Sequence, residues 1–340
     1  DNAMTVNPSR IKSNIDLNKH GYQVGELMIP WSDNTTPLGY HPIPFINIRS
    51  GKGKSLLVIG GNHGDEFEGP AAILRISQKI ILNEVNGHIL LIPSLSFAAI
   101  KNSSRTNPLD DRNMNRAFPG NPNGSPTEML AHYLETHLIP QFDAVIDLHS
   151  GGKASIFTPC SLATESSDTR LFQKNLKLAK VFGVPTIWIL GQNNDNRSLN
   201  SAAERSSVPM IAAELGGGGG IDPNMTKMAE LGILNILKHL NILKNRPHPV
   251  ETKFDIIEIS NPNATVHAPS FGLFDRIIKA GDIVSKGQLA GWFHYISEPD
   301  RASIELKFTH SGKILAHSNR GVVNKGEMLA LVANDYKAKK

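Results

Sequence analysis

Residues 56–69 read Leu-Leu-Val-Ile-Gly-Gly-Asn-His-Gly-Asp-Glu-Phe-Glu-Gly. The opening apolar run has the pattern of a buried strand, and the paired glycines that of a tight exit turn. His63 and Glu66 follow at once, three positions apart. An imidazole and a carboxylate placed together at the C-terminal end of a strand form part of a zinc site that keeps one position open for water. Residues 143–152, Asp-Ala-Val-Ile-Asp-Leu-His-Ser-Gly-Gly, repeat the grammar: an apolar strand, a histidine at its end, then glycines. Singly, each element has a bland reading. Glu66 could complement the dipole of the following helix, and His149 could be a satisfied strand-end histidine. Jointly, His63, Glu66 and His149 read as the ligands of one catalytic Zn²⁺.

The surrounding chain alternates. Strands are expected at 55–60, 88–93, 143–148, 185–190 and 208–213, and helices at 68–82, 126–139, 168–182, 198–206 and 225–243. That order argues for an α/β fold with a mostly parallel sheet and helices on both faces. The first 50 residues are irregular, with strands expected at 22–30 and 43–49. After Arg246-Pro247-His248-Pro249 the texture changes to short β-like segments. Two of these pieces, 281–291 and 321–330, share a Val-x-Lys-Gly pattern. The expected organisation is a catalytic α/β domain over 1–247 and a smaller all-β, barrel- or sandwich-like domain over 252–340.

Composition excludes several classes. The 340 residues carry 35 basic and 31 acidic side chains, a net charge of +4, with no long like-charged run, so no nucleic-acid partner is expected. No apolar run approaches the ~20 residues of a membrane helix. The start is polar without a signal-peptide core, Met4 reads as the native start, and the cytoplasm is the expected location. The single cysteine, Cys160, excludes an internal disulfide and reads as a buried structural thiol. A homo-oligomer is left open.

Other candidates cluster at the C-terminal strand ends, where an open parallel sheet binds ligands. Residues 208–220 run Val-Pro-Met-Ile-Ala-Ala-Glu-Leu into five glycines. An acid directly after an apolar strand is costly to bury unless it is used, so Glu214 is read as general base, then general acid. The loop 104–120 carries Arg105, Arg112 and Arg116. A guanidinium suits a carboxylate or an oxyanion, which implies a small acidic substrate. Arg112 is expected only to pair with Asp110 and Asp111. Asp147 shares a strand face with His149 and reads either as a carboxylate that orients a ligand or as a turn carboxylate.

With Gly61-Asn62-His63-Gly64-Asp65-Glu66, Met114-Asn115-Arg116, Asp147-Leu148-His149 and Glu214 in place, the chain resembles the succinylglutamate desuccinylase/aspartoacylase family. That family is a branch of the zinc carboxypeptidase superfamily. The resemblance covers residues 50–245 strongly and the tail loosely. It implies a zinc-carboxypeptidase-like fold, zinc on His63, Glu66 and His149, and Glu214 as the base. It further implies that Asn115 and Arg116 grip the substrate carboxylate and that Arg105 polarises the scissile carbonyl. The family's substrate-contacting tyrosine has no clear counterpart in the tail. Asn-Met-Asn-Arg-Ala-Phe-Pro-Gly and Glu-Leu-Gly-Gly-Gly-Gly resemble the bacterial N-acetyl-diaminobutyrate deacetylases within the family. The expected activity is hydrolysis of the amide bond of a small-molecule N-acyl amino acid. The rivals are desuccinylase or aspartoacylase activity, a metallocarboxypeptidase acting on peptides, and a non-catalytic binding protein that has kept the fold.

Overall fold

The computed structural model describes residues 8–191, 194–244 and 253–338. The Arg246–Pro249 hinge lies outside the described residues. The fold is mixed α/β. Its centre is strand Ser55–Gly60, where Leu56 and Val58 enter one apolar core and Leu57 and Ile59 the other. All four side chains are fully buried, which is why the strand reads as a continuous apolar run rather than an alternation. Gly87–Ile92 and Ala144–His149 flank it in parallel, and Met210–Gly217 runs parallel beside Ala144–His149. Helices Glu68–Ser77, Thr169–Phe182 and Pro223–His239 cover one face, through Ile73, Leu178 and Ile233. Pro126–Tyr133 and Leu199–Arg205 cover the other, through Met129 and Ala202.

The sheet mixes directions. Gly21–Pro30 and Tyr40–Ser50 form a long antiparallel hairpin, and Tyr40–Ser50 meets Gly87–Ile92 antiparallel. Ser155–Thr164, a strand that the local sequence does not announce, is antiparallel to Met210–Gly217 and parallel to Thr186–Leu190. Pro159 hides it, since proline cannot donate to a ladder. The register shifts between Phe157 and Cys160, so the proline sits in a bulge that needs no donor. The helix expected at 126–139 begins with Glu128 accepting from the Ser125 amide at 2.8 Å. It is α-helical over Pro126–Tyr133, passes into a π turn over Leu134–Leu138, and ends in a 3-10 turn at Ile139–Gln141 that contains Pro140.

The C-terminal segment is β-rich, and several of its strands extend the same sheet. Asp255–Glu258 runs parallel to Thr186–Leu190 and antiparallel to Met328–Asp335. Gly312–Ser318 pairs with Met328–Asp335 and also with Ser155–Thr164, closing a ring of strands. Ile257, Leu315 and Ala333 share the apolar core that holds Leu57. A separate sheet of four strands packs Phe274, Phe293 and Val323. Among the described residues no helix is long and apolar enough to cross a membrane.

Candidate active site

His63 follows strand Ser55–Gly60 through Gly61, whose φ of +63° lies in the left-handed region. Gly64 passes so close to the helix Phe97–Asn102 that a Cβ there would lie 2.1 Å from the Ala99 carbonyl carbon. This turn brings Glu66 back over the strand end. His149 ends its own strand and pairs in register with Glu214 on the next. Side chains 63, 66, 149 and 214 thereby share one edge of the sheet.

The ligand atoms of His63, Glu66 and His149 lie within 4.8 Å of one another, and all three residues are buried. Nδ1 of His63 is 2.9 Å from Glu66 Oε1, and Nδ1 of His149 is 3.1 Å from Glu66 Oε2. The outward nitrogens are engaged elsewhere. Nε2 of His63 donates to Asn113 Oδ1 at 2.9 Å, and Nε2 of His149 donates to Asp147 Oδ2 at 2.6 Å. An amide oxygen and a carboxylate only accept, so each Nε2 carries the proton and each Nδ1 turns inward. Asn62 supports Asp147 from the side, donating to Oδ2 at 3.1 Å.

Electrostatics favour a cation at this point. Burial would push the Glu66 carboxyl up, but the two imidazoles outweigh it and hold it below the usual carboxylate range. Burial would lower His149, yet Asp147 and Glu66 draw it well above the usual imidazole range. Burial pushes Glu214 well above the usual carboxylate range, opposed by His149 and reinforced by Glu66. Glu214 Oε2 is buried without a hydrogen-bond partner. Two imidazole nitrogens and a carboxylate oxygen suit Zn²⁺ with a position left over. His63, Glu66 and His149 can therefore hold a metal ion.

A cleft of about 710 Å³ opens over this cluster, bordered also by Arg105, Asn115, Arg116 and Glu214. The Arg105 guanidinium lies 3.5 Å from His63 Nδ1 and 3.8 Å from Glu66 Oε1. Asn115 Oδ1 accepts from the Leu199 amide at 2.9 Å, which fixes the side chain with its Nδ2 left for a ligand. Arg116 donates to the Asn115 carbonyl at 2.7 Å, and its Nε lies 3.1 Å from Asp195 Oδ2. Asp147 sits beneath the cleft, fully buried. Arg112 pairs with Glu128 rather than with the neighbouring aspartates, because Asp110 accepts from the Thr127 amide and hydroxyl. Cys160 is fully buried opposite Glu214, and burial raises its thiol pKa.

Two residues of the site were not singled out from sequence. Asn113 was hidden inside Asn-Met-Asn-Arg, where an asparagine looks like turn punctuation. Asp195 lies in Asn-Asp-Asn-Arg, which has the composition of a plain loop, and it pairs with both Arg116 and Arg197.

A profile of the succinylglutamate desuccinylase/aspartoacylase catalytic domain matches residues 52–240, which hold every residue of the cluster. The chain belongs to the succinylglutamate desuccinylase/aspartoacylase family. This family member is 31% identical over 326 residues to the N-alpha-acetyl-L-2,4-diaminobutyric acid deacetylase of Halomonas elongata, covering 96% of this chain and 95% of the relative. Two solved structures have the same architecture. The succinylglutamate desuccinylase/aspartoacylase of Rhodobacter sphaeroides superposes with a TM-score of 0.90 at 32% identity, over 96% of this chain and 100% of that one. The product-bound ectoine utilization protein EutE (DoeB) of Ruegeria pomeroyi gives a TM-score of 0.92 at 30% identity, with the same coverage of both chains. The family's names describe N-acyl amino acid deacylases, and the chain is an amidohydrolase of that kind.

Proposed function

We propose that this chain is a zinc-dependent deacylase that cleaves the amide bond of an N-acyl amino acid, with an N-acetylated diamino acid as the leading substrate class. The observation that carries this reading is the convergence of two inward Nδ1 atoms and the Glu66 carboxylate beside Glu214, whose Oε2 is buried without a hydrogen-bond partner. A Zn²⁺ held by His63, Glu66 and His149 would supply Lewis acidity and bring the pKa of a water to about 7.

The chain's own residues account for the remaining steps. Glu214 takes the proton of the attacking water and returns it to the departing amine nitrogen. Burial raises its proton affinity, and placement beside the cluster lets it hold the proton between the two transfers. Arg105 places a fixed positive charge beside the position of the acyl oxygen, where negative charge develops. Asn115 Nδ2 and the free end of Arg116 bind the α-carboxylate, with Asp195 holding the Arg116 fork in place. The name of the Halomonas elongata relative favours an N-acetyl group and a diamino acid over a succinyl group.

The test pairs a substrate screen with one variant. Zinc-loaded protein is offered N-acetyl, N-succinyl and N-formyl amino acids, and Glu214→Gln is assayed at full metal content. Turnover of an acyl amino acid is expected, together with a loss of about 10²–10⁴-fold in the variant. Near-normal turnover by Glu214→Gln would remove the base from the mechanism.

A further inference from the structure

The lining of the cleft extends beyond the His63, Glu66 and His149 cluster. Phe157, Leu162, Trp188 and Leu190 form an apolar wall, with the Phe157 and Trp188 rings stacked 6.4 Å apart. Leu162 pairs with Ala212, two residues before Glu214, so the wall begins on the floor beside that acid. The C-terminal segment adds Ser318, Arg320, Glu327 and Met328 to the lining. Its placement follows from the ladder: Ala330 pairs with His317, and His317 pairs with Ile156.

Four acids border the cleft: Glu66, Asp195, Glu214 and Glu327. Glu66 sits between the two imidazoles, and Glu214 stands beside them as the base. Asp195 is neutralised by Arg116 and Arg197. Glu327 has no ion pair among the described residues. Its side chain accepts one hydrogen bond, from Asn324 Nδ2 at 3.3 Å, and an amide leaves the carboxylate charge in place. An apolar wall and a carboxylate without an ion pair, lining one cleft, match a side chain made of an aliphatic stem and a cationic tip.

We infer that Glu327 selects acyl amino acids whose side chain ends in an ammonium group, with the stem lying along the Phe157–Trp188 wall. This inference rests on the amidohydrolase reading above and adds to it the residue that selects the side chain. It also gives the β-rich C-terminal segment a role, since that segment carries the selecting charge to the cleft. Arg320 also lines the cleft, without an ion pair among the described residues. It is where an acidic side chain would bind, so an acidic substrate is the contrary outcome.

The experiment compares kcat/KM of the zinc-loaded protein for N-acetyl-2,4-diaminobutyrate, N-acetylornithine, N-acetylaspartate and N-acetylnorvaline, the last a neutral match for the diaminobutyrate skeleton. A direct titration of 2,4-diaminobutyrate and norvaline onto the protein gives a readout independent of turnover. The ammonium-bearing compounds are expected to be preferred. Glu327→Gln should lower the diaminobutyrate-to-norvaline ratio about tenfold in both measurements. Glu327→Lys should move the preference toward N-acetylaspartate. An unchanged ratio in Glu327→Gln, or a wild-type preference for N-acetylaspartate, overturns the inference and leaves amide hydrolysis standing. Hydrolysis of no acyl amino acid overturns both.

Discussion

His63 and His149 present the same nitrogen to the same carboxylate because each has its other nitrogen tied to an oxygen that can only accept. The His63 tie is Asn113, and the His149 tie is Asp147. The two ties differ in how visible they are in the sequence. Asp147 stands two residues before His149 on one strand, and strand periodicity alone puts both side chains on one face. Asn113 is 50 residues from His63, in a loop whose path no periodicity describes, so the contact becomes visible only in three dimensions. The clustering of His63, Glu66 and His149 was legible because a histidine after an apolar strand and a glycine turn stands in a conspicuous place. Asn113→Ala removes the acceptor without touching a ligand. It should weaken zinc affinity by about 10–100-fold, measured by competition with a chelator, with the fold intact. Unaltered affinity would mean that the His63 ring is held by other contacts.

At the scale of elements, the strands that carry the site were the easiest to read and the antiparallel additions the hardest. Ser55–Gly60, Ala144–His149 and Met210–Gly217 are mostly apolar because both faces of the sheet are covered, with Asp147 and Glu214 as the exceptions. Ser155–Thr164 breaks that pattern with Pro159 and was missed, although it forms a wall of the cleft. Helix Pro223–His239 is tied to the site at its start. Asp222 caps it by accepting from the Asn224 and Met225 amides at 2.8 and 3.0 Å, and the Asp222 amide reaches Glu68 Oε1 at 3.3 Å. This anchors the far end of the glycine run that follows Glu214. Asp222→Ala should cost about 1 kcal/mol of stability, read as a lower midpoint in denaturant with an unchanged slope. No loss would show that the helix start is satisfied by other groups.

At the scale of the molecule, composition divided the chain where the helices stop, but pairing and packing cross that division. Ile257, Leu315 and Ala333 enter a core built around Leu57, and Gly312–Ser318 pairs with Ser155–Thr164. Long-range pairing of this kind has no signature in local sequence: the tail's short β segments were legible, and their partners were not. Arg320 and Glu327 line a cleft whose candidate metal ligands all lie before residue 150. Everything in the proposed chemistry depends on His63, Glu66 and His149 sharing one divalent cation. The most direct test is diffraction from crystals of the zinc-loaded protein on both sides of the zinc absorption edge. The expected result is one anomalous peak per chain, bonded to Nδ1 of His63, Nδ1 of His149 and the Glu66 carboxylate. A peak elsewhere, or none at these atoms, would contradict it.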